Sequence, residues 1–119
     1  INSAFSATEK TMIPSVKVSA DKNPDYSTSS GKATQDRLFL LSVKEMNKYL
    51  SSNSKRRCKS TDYAVANGAK GNYCSWWLRS PGAYQSYATE VFSTGEIYTK
   101  GGGVGAIGAV RPAMWISLA

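Results

Sequence analysis

The stretch Cys74–Tyr87, CSWWLRSPGAYQSY, decides how this chain is read. Two adjacent tryptophans and an arginine run into a Ser-Pro-Gly turn, and small, polar and aromatic residues follow. Such a run is the wall of a catalytic pocket, a ligand platform, or a core strand passing into a loop. The apolar, aromatic start predicts a strand, and Ser80-Pro81-Gly82 predicts the turn that ends it. Trp76, Trp77 and Leu78 are then expected in the core, with displayed surface beginning at Ala83.

From Tyr73 onward, aromatic, β-branched and glycine residues alternate in short runs, so the C-terminal half is expected to be β-rich. Residues 89–99, TEVFSTGEIYT, predict a hairpin with a three-residue loop, Ser93-Thr94-Gly95, and Gly95 in the left-handed conformation. Under that register Phe92 faces Glu96, Val91 faces Ile97 and Glu90 faces Tyr98. Val91 and Ile97 point inward, while Glu90, Phe92, Glu96 and Tyr98 share the outer face. A two-residue Thr94-Gly95 loop would exchange these partners. The closing run AVRPAMWISL predicts a last strand, in which Pro112 requires an edge or a bulge.

The N-terminal half carries helix signals. Ser6 with Glu9, and Ser42 with Glu45, are capping boxes that open two short helices, and Pro14 blocks continuation of the first. In the second, Val43, Met46, Asn47 and Leu50 recur at helical spacing and leave Lys44 and Lys48 to water. Residues 61–69, TDYAVANGA, predict a further helix capped by Ser60 or Thr61, with Gly68 just past its end. These helices are expected to cover one side of a sheet. SVKVSA alternates like a strand, the run Arg37–Leu41 (RLFLL) reads as a buried strand, and Asp21–Gln35 reads as an exposed, flexible loop.

At 119 residues the chain suits one α+β domain. No window approaches the roughly 20 apolar residues of a membrane span, so no membrane insertion is expected. Fifteen Lys and Arg against eight Asp and Glu give a formal charge of +7, and Lys55, Arg56, Arg57 and Lys59 cluster. The cluster is read as a solvated helix end rather than a nucleic-acid contact. With no histidine and two cysteines, the usual zinc sets and histidine-based triads are excluded. Cys58 and Cys74 form one bridge in an oxidising compartment or remain two thiols, and a reactive Cys74 has only Arg79 near it in sequence. The glycines of residues 101–109 lack the lysine and following helix of a phosphate loop and are read as a turning connection, with Val104 and Val110 as inward anchors. Arg79 and Arg111 are expected to tie loop carbonyls or a carboxylate. No cofactor or metal is called for.

AFSATE, DRLFLLSVKEMNKYL, KSTDYAVANGA, WWLRSPG, GEIYTKGGGV and AVRPAMWISL fall in an order that resembles a bacterial (Firmicutes-type) domain family without an assigned function. That family is similar to the C-type-lectin-like superfamily, in the branch of formylglycine-generating enzymes and the variable proteins of diversity-generating retroelements. The resemblance implies a rigid frame of a small antiparallel sheet, two or more short helices and long irregular loops. Trp76 to Gly82, Val91, Gly95, Ile97, Gly101, Val104, Val110 to Ala113 and Trp115 match its frame; Ala109 and Met114 stand where the family usually has glycine and leucine.

The resemblance implies a ligand-binding module, displaying residues 83–108 to a protein or glycan. Its candidate contacts are Tyr84, Gln85, Ser86, Tyr87, Glu90, Phe92, Tyr98, Lys100 and Ile107. In retroelement-diversified relatives, randomised adenines yield residues such as Tyr, Ser, Phe and Ile, but not the Gln85, Glu90 and Lys100 found here. Catalytic cysteines of formylglycine-generating enzymes have no counterpart, and the calcium and sugar signatures of animal lectins are not visible. Alternatives are a structural or adhesive domain of a larger surface protein, and an enzyme using Cys74. Localisation stays open, with the cell surface or exterior favoured. Family members carry a further segment before AFSATE, so the chain is expected to be the C-terminal part of its domain. That segment, or another chain, is then expected to pair with Val110–Ile116.

Overall fold

Short, locally specified elements hang on one three-stranded sheet. The computed structural model describes residues 4–118; residues 1–3 and 119, at the ends of the expected domain, lie outside them. In order come α1 (Ala7–Thr11), β1 (Val16–Val18), β2 (Thr34–Asp36), α2 (Val43–Tyr49), α3 (Asn53–Arg56), β3 (Cys58–Lys59), α4 (Asp62–Ala66), β4 (Tyr73–Cys74), β5 (Trp76–Pro81), β6 (Tyr87–Val91) and β7 (Ile97–Gly103). This is an α+β domain with small antiparallel sheets, β1-β2, β3-β4 and β5-β6-β7.

Both capping boxes form. Ser6 and Ser42 accept from the amides of Glu9 and Glu45, whose carboxylates accept from the cap amides. Each box satisfies donors that a helix start would otherwise leave orphaned. Thr61 caps α4, and Gly68 follows at φ +109°. Of these helices only α2 buries residues, Val43 and Met46, against the sheet. The expectation that α4 helps cover the sheet is therefore corrected: Tyr63 and Val65 on α4 stand exposed.

The core is Val43 and Met46 of α2 against Trp76, Leu78 and Val91, with Leu41, Leu50, Ile97 and Ala109 at its margin. Its buried polar groups are paired. The amide of Val43, at the start of α2, donates to Ser80 Oγ (3.1 Å), and Thr89 Oγ1 donates to the Ser80 carbonyl (2.8 Å). The first bond docks the helix onto β5 and the second ties Thr89 of the neighbouring strand to β5, and both satisfy groups that are costly to leave dry. Trp76 Nε1 donates to the Arg56 carbonyl at 3.0 Å, so the core tryptophan also fixes the end of α3.

The hairpin takes the expected register: Val91 pairs with Ile97 and Glu90 with Tyr98. The Phe92 amide donates to Glu96 O at 2.8 Å, and Gly95 adopts φ +91°. A Cβ at Gly95 would lie 2.1 Å from Asn53 O, so this glycine serves the turn and also lets the tip press on α3.

Four expectations need correction. Arg37–Leu41 is not a strand; Phe39 makes an isolated bridge with Ala113, and Leu41 O accepts from Arg79 N. Val110–Ile116 is not a strand either: bridges at Trp76/Ala109 and Phe39/Ala113 hold an extended segment in which Pro112 has no amide to donate. Val104 and Val110 are not inward anchors, both being 64 % exposed. The Asp21–Gln35 segment is not a free loop, because its last residues enter β2 and Asn23 is buried within it. Asn23 Nδ2 donates to the carbonyls of Pro81 (2.8 Å) and Thr99 (2.6 Å), Thr28 to Gly82 O, and Thr99 to Asp25.

Candidate functional site

Strand alternation sorts the candidate residues. On β5 the burial pattern puts Trp76, Leu78 and Ser80 inward and leaves Trp77 on the other face, which corrects the placement of Trp77 in the core. Trp77 pairs with Glu90, and Glu90 with Tyr98, so an indole, a carboxylate and a phenol stand in one row across three strands. Phe92 stacks on Tyr98 at the next position of the same face, with centroids 4.7 Å apart and planes 30° from parallel.

Glycines shape this face. A Cβ at Gly102 would come 3.3 Å from Glu90 Oε2 and 3.6 Å from Trp77 Cη2, so the carboxylate lies over bare backbone beside the indole. A Cβ at Gly108 would sit 2.2 Å from Trp77 Nε1; the returning loop thus closes on the indole only because no side chain intervenes. Gly101, at φ +76°, lets β7 bulge: a Cβ there would meet Ala88 O at 2.0 Å. Burial pushes the Glu90 carboxyl above its ordinary value. The ion pairs among the described residues, Arg79 with Asp21 and with Glu45, leave Glu90 out.

The other candidates stand elsewhere. Tyr87 lies on the face of Thr89 and Val91, opposite Glu90, and meets Tyr84 edge-on at 5.1 Å. Tyr84, Gln85 and Ser86 are exposed in the β5–β6 connection. Its neighbour is the 104–108 loop, tied by Val104 N donating to Ser86 O (2.9 Å), and Ile107 there is 90 % exposed. Lys100 is exposed on the bulge, and its carbonyl accepts from Ala83 N at 2.9 Å. The nine candidates therefore form two groups: Glu90, Phe92 and Tyr98 on the outer sheet face, and Tyr84 to Tyr87 with Lys100 and Ile107 around the loop end. Trp77, absent from the candidate contacts, joins the first group. The signal for it was the period of two in W-W-L-R-S.

Arg79 ties the frame as expected. It donates to Leu40 O (2.7 Å), Ser19 O (3.0 Å), the Glu45 carboxylate and Asp21 Oδ2 (3.4 Å). Burial alone would raise the Asp21 carboxyl, but hydrogen bonds from Ser42 and Ser19 and the charges of Arg79 and Lys44 hold it below its ordinary value. Arg111 reaches the Arg56 carbonyl and lies over the Trp76 ring at 4.9 Å. In the basic cluster, Arg56 donates to Leu50 O and reaches the side-chain carbonyls of Asn47 and Asn53, and Arg57 stacks on Tyr73 at 3.6 Å.

An apolar groove of about 290 Å³ lies between Phe39, Leu41, Tyr49, Leu50 and Trp115, and no residue of either group lines it. Tyr49 and Trp115 meet there edge-on at 6.3 Å. Cys74 is buried, and its Sγ approaches the Cys58 carbonyl at 3.7 Å. Among the described residues no cluster of three or more His, Cys, Asp or Glu is placed to hold a metal, and no helix is long and apolar enough to cross a membrane.

Residues 1–118 match the family model described as a domain of unknown function, DUF6273. The chain belongs to the DUF6273 family. No curated protein matches it, and no solved structure does. The match spans the frame and both groups of this DUF6273 domain, from the first capping box to the exposed residues of the C-terminal segment.

Proposed function

We propose that this DUF6273 domain is a ligand-binding module on a C-type-lectin-like frame, and that its ligand face is the outer surface of β5-β6-β7. The row Trp77, Glu90 and Tyr98, with Phe92 stacked on Tyr98, carries the reading. Rings held by strands keep their contact area at little entropic cost, and the Tyr98 phenol adds a polar edge. Glu90 adds an acceptor that burial has partly desolvated and that no arginine or lysine among the described residues pairs with. A glycan fits this chemistry best: the C–H face of a sugar ring lies on the aromatic rings, and its hydroxyls donate to Glu90. A protein ligand is the other outcome of the test below.

The loop group, Tyr84 to Tyr87 with Lys100 and Ile107, extends the display surface of residues 83–108 at the far end of the sheet. If this copy is a diversified variable protein, the residues that change lie between the frame positions of 83–107, in both groups, and a template repeat with a reverse transcriptase lies near its gene. A structural or adhesive role within a larger surface protein is the second reading; the exposed Trp115, Ile116 and Leu118 of the C-terminal segment favour it. A glycan and protein array separates them. The first reading expects a defined ligand whose signal falls at least about tenfold in Trp77→Ala or Tyr98→Ala, with each variant shown folded by circular dichroism at the temperature of the array. An array without a hit, or a hit indifferent to both substitutions, refutes this face.

A further inference from the structure

The two cysteines lie at partner positions. β3 and β4 pair antiparallel with Cys58 directly opposite Cys74 and Lys59 opposite Tyr73. One step further, the Ser60 amide donates to Asn72 O at 2.8 Å between directly opposed residues. That bond marks Ser60/Asn72 as a hydrogen-bonded pair, and the alternation of the antiparallel ladder makes Cys58/Cys74 another. Such pairs have Cα atoms about 5.5 Å apart, inside the range that a disulfide spans. The Cys74 thiol already points at the Cys58 carbonyl. Cys58 is half-buried, within reach of solvent, whereas Cys74 is 8 % exposed.

We propose that Cys58 and Cys74 are a redox couple that closes reversibly to a disulfide, with Cys58 as the entry thiol and Cys74 as the resolving one. The oxidant is a small disulfide such as oxidised glutathione. The Cys58 thiolate, after losing its proton to water, attacks one sulfur of the oxidant and expels one thiolate, leaving a mixed disulfide. Cys74, deprotonated in turn, attacks the Cys58 sulfur and expels the second. Two protein thiols are oxidised and one small disulfide is reduced to two thiols.

Reversibility follows from the same geometry. Opposed Cβ atoms lie about 4.5–5.5 Å apart, with hydrogen-bonded pairs at the wide end, while a relaxed disulfide prefers about 3.8 Å. Closing the bridge therefore pulls the ladder inward, and a strained disulfide is reduced more readily than a relaxed one. Each strand of this ladder is two residues long, so few neighbouring bonds resist the movement. The Cys58 thiol is pushed up by burial, with Arg111 working the other way, which makes uncatalysed closure slow rather than absent.

The test is to equilibrate the folded chain in oxidised and reduced glutathione, trap free thiols with N-ethylmaleimide and weigh the intact protein. The proposal expects wild type to lose both thiols together as an intramolecular bridge, and to recover both when reduced glutathione is in excess. Cys74→Ser should stop at a glutathione adduct on Cys58, while Cys58→Ser should keep its buried thiol free. Two thiols remaining in wild type under excess oxidised glutathione, an adduct on Cys58 that never closes, a bridge between two chains, or a bridge that resists excess reduced glutathione would each overturn it.

Discussion

Replacing Asn23 with alanine removes the strap that holds the Asp21–Gln35 segment to the sheet. Its Nδ2 donates to Pro81 O and Thr99 O, and its Oδ1 accepts from the amides of Asp25 (2.8 Å) and Tyr26 (3.2 Å), with the residue 5 % exposed. The two amides regain water in the variant, because Asp25 and Tyr26 are exposed, so their loss costs little. The two carbonyls lose a buried donor, at about 1–1.5 kcal/mol each. Asn23→Ala should therefore destabilise by about 2–3 kcal/mol. An unfolding entropy of about 2.1 cal/mol/K per residue makes that a fall of roughly 8–12 °C in Tm for a chain of this size. Urea unfolding by circular dichroism reads the free energy, and calorimetry reads Tm. Lys32→Ala, in the exposed part of the same segment, should stay within about 0.5 kcal/mol of wild type. If Asn23→Ala and Lys32→Ala melt together, the segment is the free loop that its composition suggests, and the strap is refuted.

Three further outcomes are expected. Gly101→Ala drives a Cβ to within 2.0 Å of Ala88 O at a positive φ, so the bulge must open; a loss of about 2–4 kcal/mol in urea unfolding is predicted. For Glu90 the folded carboxyl binds its proton more tightly than the unfolded one, so stability falls as pH rises from about 4 through its folded value; Glu90→Gln should remove that fall and gain on wild type towards pH 7 in thermal melts. Asp21 has the opposite sign: its contribution is present above the ordinary aspartate value and lost as pH falls through the depressed one, so Asp21→Asn should flatten the acid side of the same profile.

The features legible in the sequence are those specified over a few residues. Ser6 with Glu9 and Ser42 with Glu45 name their own partners, and Ser93-Thr94-Gly95 sets the hairpin register through one left-handed glycine. Arg37–Leu41 and Val110–Ile116 are apolar enough for strands, yet strand formation needs a partner along the whole length, and each found the other at Phe39/Ala113 alone. Asn23 could not be found locally, because its acceptors lie 58 and 76 residues away. At the candidate site, Glu90, Phe92 and Tyr98 share a face because a hairpin alternates. Tyr84 to Tyr87 fell in another group because β6 turns Tyr87 to the opposite side, and Trp77 was missed because a tryptophan doublet looks like core while alternation sends the second ring outward.

The three tryptophans report three different places: Trp76 in the core at 1 % exposure, Trp77 on the proposed ligand face, and Trp115 at the apolar groove with 52 % exposure. Their indole N–H resonances, assigned by single Trp→Phe variants, can be followed by NMR while a ligand from the array is titrated in. A ligand on the outer face of β5-β6-β7 moves the Trp77 resonance and leaves those of Trp76 and Trp115 in place. A titration that shifts Trp115 while Trp77 stays fixed contradicts the account.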